Sequence, residues 1–230
     1  MTQTHAYQLI RSRKRKTLGI RIRDAEVQVR APVGVSRDEV DRFVLSRSDW
    51  INRHLNRQQE QVSRYQARIC QGGRVLLNGH WLLLEWQRAA RSEVRQLPQQ
   101  LKLTLSARVR RDENEAVRAL LQQWFRAEAE ACLIRRCRQL AEITGLIPAS
   151  INIGSWRARW GQCSSKGEVG LNWRLLQLDP TLQDYVILHE LCHLQQMNHG
   201  PRFHALLARH CPAHIRLRAE LAQYTVCLNW

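Results

Sequence analysis

The sequence has no run of eighteen apolar residues, so no conventional membrane-spanning helix is expected. Its first thirty residues also lack an apolar segment of signal-peptide type, because they open with the basic and polar stretch MTQTHAYQLIRSRKRK. From these two absences we expect a cytoplasmic protein with no membrane partner. Since 44% of its 230 residues are hydrophobic, the chain can still bury a full core.

Regularly spaced cysteines are also missing. The chain has seven cysteines, an odd number, and none of them forms a CxxC pair. A disulfide framework or a cysteine-based zinc knuckle would need such spacing, whereas these cysteines mostly stand among apolar neighbours. We therefore expect free thiols in the core.

Acidic residues are scarce in the first half of the chain. Residues 1–111 contain 23 basic and 9 acidic residues, a net charge of +14, whereas residues 112–230 contain 13 and 11, a net charge of +2. A field of this sign can attract nucleic acid, although an arginine-rich surface can equally serve solubility. We expect a basic N-terminal β/α portion at 1–111 and a second portion at 112–230, either separate or as one continuous domain.

Alternation of apolar and polar residues predicts two paired strands at 17–23 and 25–32, with a turn at Asp24. A capping box of Ser36 and Glu39 then predicts the start of a helix.

Further along, Asn78-Gly79 predicts a hairpin over 75–86, and 101–107 has the pattern of another strand. A long amphipathic helix is predicted from about Asp112 to Glu142, closed by Gly145. Two short strands, SINIGSW and EVGLNW, follow it. Asp179-Pro180 supplies an N-cap and a first-turn proline for the next helix, and Pro212 begins a last helix that runs to about Tyr224.

That next helix carries VILHELCHLQQMNHG, residues 186–200. His189 and His193 are four residues apart, so both imidazoles project from one helix face, and Glu190 lies beside that face. This is the HExxH arrangement, in which two histidines bind zinc and the glutamate takes the proton of the metal-bound water.

A catalytic zinc needs a third protein ligand and an open fourth position. His199 stands ten residues after His189, a spacing that suits a chain that leaves the helix and turns back, with Asn198 and Gly200 as residues tolerant of positive φ. Glu220, the sole carboxylate after His193, is the alternative third ligand.

Two other interpretations of the polar groups stay open: an internal hydrogen-bond network without metal, and a closed structural zinc site. Three imidazoles would also accept nickel, cobalt or copper, but the ligand type favours one Zn²⁺ per chain.

The segment RARWGQCSSKGEVGLNWRLLQLDPTLQDYVILHELCHLQQMNHGPRF resembles the YgjP-like metallopeptidases, relatives of the SprT-like and WLM groups of zincins. The N-terminal RKRKTLGIRIRDAEVQVRAPVGVSRDEVDRFVLSRSDWI is similar to the same family. The resemblance implies an α+β, zincin-like fold in which an HExxH helix packs on a small, mostly antiparallel sheet, so that 112–230 is the catalytic portion after a basic N-terminal β/α portion. It implies the zinc ligands His189, His193 and His199, with Glu190 as the catalytic acid/base.

The implied activity is hydrolysis of peptide bonds in a protein or peptide substrate, with Glu190 activating a zinc-bound water. The strand RWGQCSS, 159–165, could bind an extended substrate by edge pairing. Candidates for substrate contact or cleft shape, which would fit a core equally well, are Trp160, Gly161, Cys163 and Asn172.

For the group that stabilises the oxyanion, chemistry offers the candidates Arg202, His204 and Tyr224. His204 stands where similar proteins usually have an aromatic residue after Phe203. It is expected to be a packed or exposed residue, a group that supports the ligands, or a spare ligand.

A competing hypothesis from another class is a nucleic-acid-associated binding protein that uses the basic half, with Trp50, Trp81 and Trp86 near basic residues. A DNA-associated protease of SprT-like type would combine both activities.

Overall fold

The computed structural model describes residues 5–23 and 26–229, where six α-helices combine with three small sheets in a mixed α+β fold. The chain separates into two units, Met1–Arg64 and Tyr65–Trp230. This division lies before residue 111, after which the net charge of the sequence falls. The boundary predicted there, between a basic N-terminal portion and a catalytic portion, stays a prediction. The predicted turn at Asp24 lies outside the described residues. In the described part of the chain, no helix has both the length and the apolar character needed to cross a membrane.

The first unit places two helices on one face of a three-stranded sheet. Strand β3 (Glu26–Pro32) lies between β1 (Gln8–Ser12), which is parallel to it, and β2 (Gly19–Arg23), which is antiparallel. Alternate residues of β3 are buried against α1 (Arg37–Leu45) and α2 (Ser48–Tyr65), as period-two patterning requires. The buried core of this unit consists of Val27, Val29, Ala31, Val40, Val44 and Ile51.

The capping box predicted for α1 is confirmed. Ser36 Oγ accepts a hydrogen bond from the backbone N–H of Glu39, and the Glu39 carboxylate accepts one from the backbone N–H of Ser36. The glutamine-rich stretch after residue 55 continues α2 as helix rather than forming a linker.

The second unit begins with a four-stranded sheet of order β4-β5-β7-β6. Its strands are β4 (Arg74–Leu77), β5 (His80–Ala89), β6 (Glu93–Leu97) and β7 (Gln100–Ser106). The predicted hairpin is confirmed, since Asn78 and Gly79 take φ values of 50° and 81° between β4 and β5. Sequence reasoning missed β6, whose side chains are mostly exposed.

Helix α3 (Glu113–Thr144) follows, with Asp112 as N-cap and Gly145 as a left-handed C-cap, so it begins and ends close to the predicted positions. Its fully buried positions recur mainly every four residues along its length. Four residues advance about 400° around a helix, so the buried stripe drifts by about 40° per step. The winding stripe lets one helix pack against β6 and β7 as well as against β8 and α4. The buried residues are Ala116, Val117, Leu121, Phe125, Ala129, Leu133, Cys137, Leu140 and Ala141.

The third sheet has the order β8-β10-β9. Strand β10 (Glu168–Asn172) pairs antiparallel with β9 (Gly161–Cys163) but parallel with β8 (Ser150–Gly154). The expected mostly antiparallel sheet is therefore wrong for this sheet, since one of its two pairings is parallel. A tight turn joins β9 to β10, so these two strands are antiparallel. The wide loop at 155–160 joins β8 to β9 and lets β8 lie on the other side of β10, parallel to it.

A short 3-10 helix (Trp173–Gln177) leads from β10 to α4 (Pro180–Cys192), which has the predicted N-cap, Asp179. Helices α5 (Pro201–His210) and α6 (His214–Leu221) complete the unit, and the chain ends in a 3-10 helix (Ala222–Asn229) instead of the α-helical continuation predicted to Tyr224.

A bidentate ion pair links α4 to α3. Arg136 Nε and Nη2 donate to the two carboxylate oxygens of Asp184 at 2.7 and 2.6 Å. All seven cysteines are free thiols, as predicted, but the expected place in the core is confirmed for only four of them. Cys70 is exposed, and Cys132 and Cys163 are half-buried.

The β4–β5 turn docks on the N-terminus of α4. Asn78 N–H donates to the carbonyl of Leu176 at 2.6 Å, and Gln183 Nε2 donates to Asn78 Oδ1 at 2.9 Å. A Cβ on Gly79 would lie 3.3 Å from Asp179 Cα, so this glycine is needed for close approach as well as for its positive φ.

Replacing Gly79 with Ala should therefore destabilise the protein by about 1–2 kcal/mol, because both the φ of +81° and the contact with Asp179 oppose a side chain. Urea unfolding measures this. Gly72→Ala is the matched control, since Gly72 has a φ of +71° but no atom within 4 Å of its added Cβ. Equal losses in the two variants would mean that the contact with Asp179 contributes nothing.

Candidate metal centre

Three imidazoles meet at the end of α4. His189 lies in the last turn of the helix, His193 is its C-cap, and His199 comes from the segment that follows. One nitrogen from each ring lies within 4.8 Å of the other two, and the Nε2 atoms of His189 and His199 are 3.0 Å apart. Because His199 is exposed while His193 is buried, the cluster is open to solvent on the His199 side.

The chain between His193 and His199 turns back without any left-handed residue. Gly200 has a φ of −83°, and Asn198 is not among the described residues with positive φ. The expectation that these two residues make the turn through positive φ is therefore wrong. Tight turns do it instead: Gln195 N–H donates to the carbonyl of Cys192, and Gly200 N–H donates to the carbonyl of Asn198.

Aromatic packing and one backbone bond orient the rings. Phe203 is fully buried at the start of α5, with its ring 4.7–4.9 Å from all three imidazoles. The Nδ1 of His193 pairs with the carbonyl of Gln196 at 3.0 Å, so Nε2 is the nitrogen of this ring that can bind a metal. The Nδ1 of His189 is buried without a partner among the described residues, so this ring is held by packing against Tyr185 and Phe203.

Burial keeps the two inner imidazoles neutral. Desolvation, reinforced by His193 and His199, lowers the pKa of His189 to about 3. Desolvation also lowers the pKa of His193, although its hydrogen bond to Gln196 acts in the opposite direction. Neutral imidazole nitrogens carry lone pairs, which is the form that binds a metal.

This donor set fits a divalent metal. Two nitrogens that bind one tetrahedral zinc at about 2.0–2.1 Å are about 3.3 Å apart, close to the separation of the His189 and His199 nitrogens. Without a cation, only one of these two nitrogens can donate to the other, so a metal would satisfy both lone pairs together. The chemistry of three imidazoles suits Zn²⁺ and the other metals of the same preference.

Glu190 directly follows His189 in α4 and is only 6% exposed. Burial raises the pKa of its carboxyl to about 8, and the nearby charge of Arg159 acts to lower it. A carboxyl with its pKa near neutrality can both accept and return a proton.

Gly161 in β9 makes room for this carboxyl. A Cβ at Gly161 would lie 2.6 Å from Glu190 Cγ and 2.7 Å from Oε1, closer than atoms can approach. The Glu190 side chain therefore lies directly against the backbone of β9. Sequence reasoning placed Gly161 near the cleft, and the structure gives it the specific role of leaving space for Glu190.

The other cleft candidates are distributed around this strand. Asn172 is fully buried, and its amide nitrogen donates to the carbonyls of Trp156 and Arg159 at 2.7 and 2.9 Å, so it holds the loop before β9 in place. Trp160 packs against apolar residues of the core, and Cys163 is half-buried, with its pKa raised by burial and then by Glu190.

Of the residues proposed for oxyanion stabilisation, His204 is near the imidazoles, since its charge acts on His189 and its ring lies 5.6 Å from that of Phe203. Arg202 and His204 are exposed on α5, and the ring of His204 stacks on that of His214 with a centroid distance of 6.4 Å. Tyr224 packs against Tyr65 with ring centroids 4.2 Å apart, and burial is the main cause that raises its pKa to about 12.

The alternative third ligand, Glu220, is outside the imidazole cluster and accepts a hydrogen bond from Arg216 on the same helix.

Sequence reasoning missed three residues that act on or contact the imidazole cluster and Glu190. The charge of Arg159 acts on Glu190, the charge of Arg218 acts on His189, and the buried Tyr185 contacts the His189 ring. No motif marks Arg159 and Arg218, since they approach the site only when the loop before β9 and helix α6 pack around α4. Tyr185 stands four residues before His189 on α4, so helix spacing could have identified it.

The tryptophans suggested for base stacking are packed within their own units. Trp50 lies against His54, Arg74 covers the ring of Trp81 at 4.4 Å, and Trp86 packs on the main core. These contacts give no support to stacking on bases.

A family model described as YgjP-like, metallopeptidase domain, matches residues 16–224, which include the imidazole cluster, Glu190 and Gly161. No curated protein and no solved structure matches the chain.

The cluster predicts one tightly bound divalent metal per chain. Zinc content by elemental analysis, with affinity from competition with a chelator, should fall for His199→Ala because only two imidazoles remain. His204→Ala, which removes a neighbouring exposed imidazole, is the control and should bind like the wild type. Full affinity in His199→Ala would place the third ligand elsewhere.

The buried carboxyl predicts how stability depends on pH in the metal-free protein. The pKa of Glu190 is about 8 in the folded chain against an ordinary 4.5, so between these values the folded state holds a proton that the unfolded state has released. Stability therefore falls as the pH rises through this window. Glu190→Gln should remove this loss and be more stable than the wild type above about pH 8, by on the order of a few kcal/mol.

Urea unfolding with excess chelator at pH 5, 7 and 9 measures this difference. Glu142→Gln, at an exposed position of α3, controls for loss of one negative charge. A wild type that stays as stable as Glu190→Gln at pH 9 would contradict the shifted pKa.

Proposed function

This chain belongs to the YgjP-like metallopeptidase family, and on that premise we propose that it is a zinc-dependent peptidase with Glu190 as its acid/base. The observation that carries the proposal is the meeting of three imidazole nitrogens within 4.8 Å beside a buried glutamate. In this assignment the ligands are His189, His193 and His199.

When bound, zinc would supply a Lewis acid that polarises a carbonyl and acidifies water. The chain's own residues do the rest. Glu190 accepts the proton of the attacking water and then gives it to the departing amine, for which its pKa near neutrality is suited. Gly161 and Phe203 are positioning residues, since one leaves space for the carboxyl and the other packs against the rings.

Substrate binding is proposed along β9. This strand is at an edge of its sheet, and the Glu190 side chain lies against its backbone at Gly161. An extended peptide paired with this edge would pass the acid/base and the open side of the imidazole cluster. Asn172 supports this arrangement from behind, by fixing the loop that leads into β9.

The acid/base assignment is tested with zinc-loaded protein and a diverse peptide library, with cleavage followed by mass spectrometry. Glu190→Gln should retain zinc and lose at least about 100-fold in turnover, because it removes only the proton acceptor. Glu220→Gln is the control, a carboxylate of α6 that pairs with Arg216, and it should cleave like the wild type. Undiminished cleavage by Glu190→Gln, or no cleavage by the zinc-loaded wild type, would refute the assignment.

A further inference from the structure

One face of the N-terminal sheet is not covered by α1 or α2. Residues Val27, Val29 and Ala31 of β3 are buried against the helices, so the alternate residues Gln28 and Arg30 point to the opposite face. This opposite face is only half-buried at β3 and more exposed at the neighbouring strands.

Guanidinium groups gather on this face. Arg30 lies opposite Gly19 in the pairing of β3 with β2, so both residues project to the same side. A Cβ on Gly19 would lie 2.9 Å from Arg15 Nη2, which places the Arg15 guanidinium over Gly19, the residue that pairs with Arg30. Arg21, two residues after Gly19, is exposed on the same face.

In the part of the chain that the structure describes, no carboxylate pairs with these cations. Among the described residues, Arg15, Arg21 and Arg30 form no salt bridge, and Arg30 Nε is buried without a hydrogen-bond partner. The one described carboxylate on the face, Glu26, is four residues from Arg30, at the other end of β3. A half-buried cation beside a like charge is unfavourable unless an anion joins it.

The loop between β1 and β2 adds basic residues to the same end of the sheet. Ser12 pairs with Pro32 and Gly19 with Arg30, so the loop RKRKTL at 13–18 crosses the end of β3 at which Arg30 lies. Residues 8–32 contain eight basic and two acidic residues. Arg11 is already engaged, since its Nη1 donates to the carbonyls of Val33 and Val35.

We propose that this arginine face, defined as Gln8, Arg15, Arg21, Gln28 and Arg30, binds the phosphate backbone of nucleic acid. A guanidinium matches a phosphate with two parallel hydrogen bonds, and glutamine amides donate to phosphate and sugar oxygens. Gln28 Nε2 donates to Gln8 Oε1 at 3.1 Å, which holds the two amides side by side.

The chemistry of the face favours nucleic acid over a membrane. Ile10 is the large apolar side chain exposed on this face, and it is 36% exposed. Binding at a lipid surface needs a much larger apolar area. Contacts to phosphate alone carry no sequence information, so the binding is independent of base sequence.

The proposal is tested by fluorescence anisotropy of a labelled DNA duplex with the full chain, from 25 to about 300 mM salt. Each phosphate contact contributes about −0.9 to the slope of log affinity against log salt concentration. The triple variant Arg15→Gln, Arg21→Gln, Arg30→Gln should therefore reduce the magnitude of the slope by about 3 and weaken binding at every salt concentration. Arg21→Gln alone, at an exposed position, should reduce it by about 1.

The matched control removes three exposed cations of the same unit from other surfaces, as Arg47→Gln, Arg53→Gln and Arg57→Gln. It should keep most of the wild-type slope. Equal loss in control and face variant, no salt-dependent DNA binding by the wild type, or preferential binding to phosphatidylserine vesicles would each overturn the proposal. The assay needs neither metal nor peptide cleavage, so its outcome is separate from that of the proposed peptidase activity.

Discussion

The site depends on the burial of α4. Almost every residue of this helix from Leu182 to Cys192 is enclosed, so the polar groups it carries have little water to solvate them. Burial decides their charge: the imidazole of His189 is neutral, and the carboxyl of Glu190 retains its proton far above the ordinary range of its pKa. Groups in this state are suited to binding a cation and to exchanging a proton, and they would be costly in a core without such a role.

Much of the surrounding fold can be understood as support for this helix. Arg136 on α3 holds Asp184 on its outer side, the Asn78-Gly79 turn docks on its N-terminus, and β9 lies against Glu190. These contacts come from three separate parts of the second unit and hold α4 at different points along its length. A metal site demands ligand positions within a few tenths of an ångström, which a helix held on several sides can provide more readily than a free loop.

Features governed by local physics could be predicted from the sequence. The capping box at Ser36, the hairpin at Asn78-Gly79, the left-handed end of α3 at Gly145 and the start of α4 at Asp179 all depend on neighbouring residues. The spacing of His189 and His193 is of the same kind, since it follows from helix geometry. The features that could not be predicted from the sequence depend on long-range packing. The parallel pairing of β8 with β10 and the proximity of Arg159 and Arg218 arise only when distant segments meet.

The distribution of arginine shows why net charge alone could not assign a function. Arg11 binds backbone carbonyls, Arg136 is paired with Asp184, and Arg174 is buried beside Trp173, where desolvation lowers its pKa to about 10 yet leaves it charged at neutral pH. Such residues contribute to the formal +16 but are committed to holding the fold together. The cations that can act on a partner are those whose neighbours offer no carboxylate. Contacts, rather than composition, identify Arg15, Arg21 and Arg30 as members of that set, because they share one sheet face and form no ion pair with any residue that the structure describes.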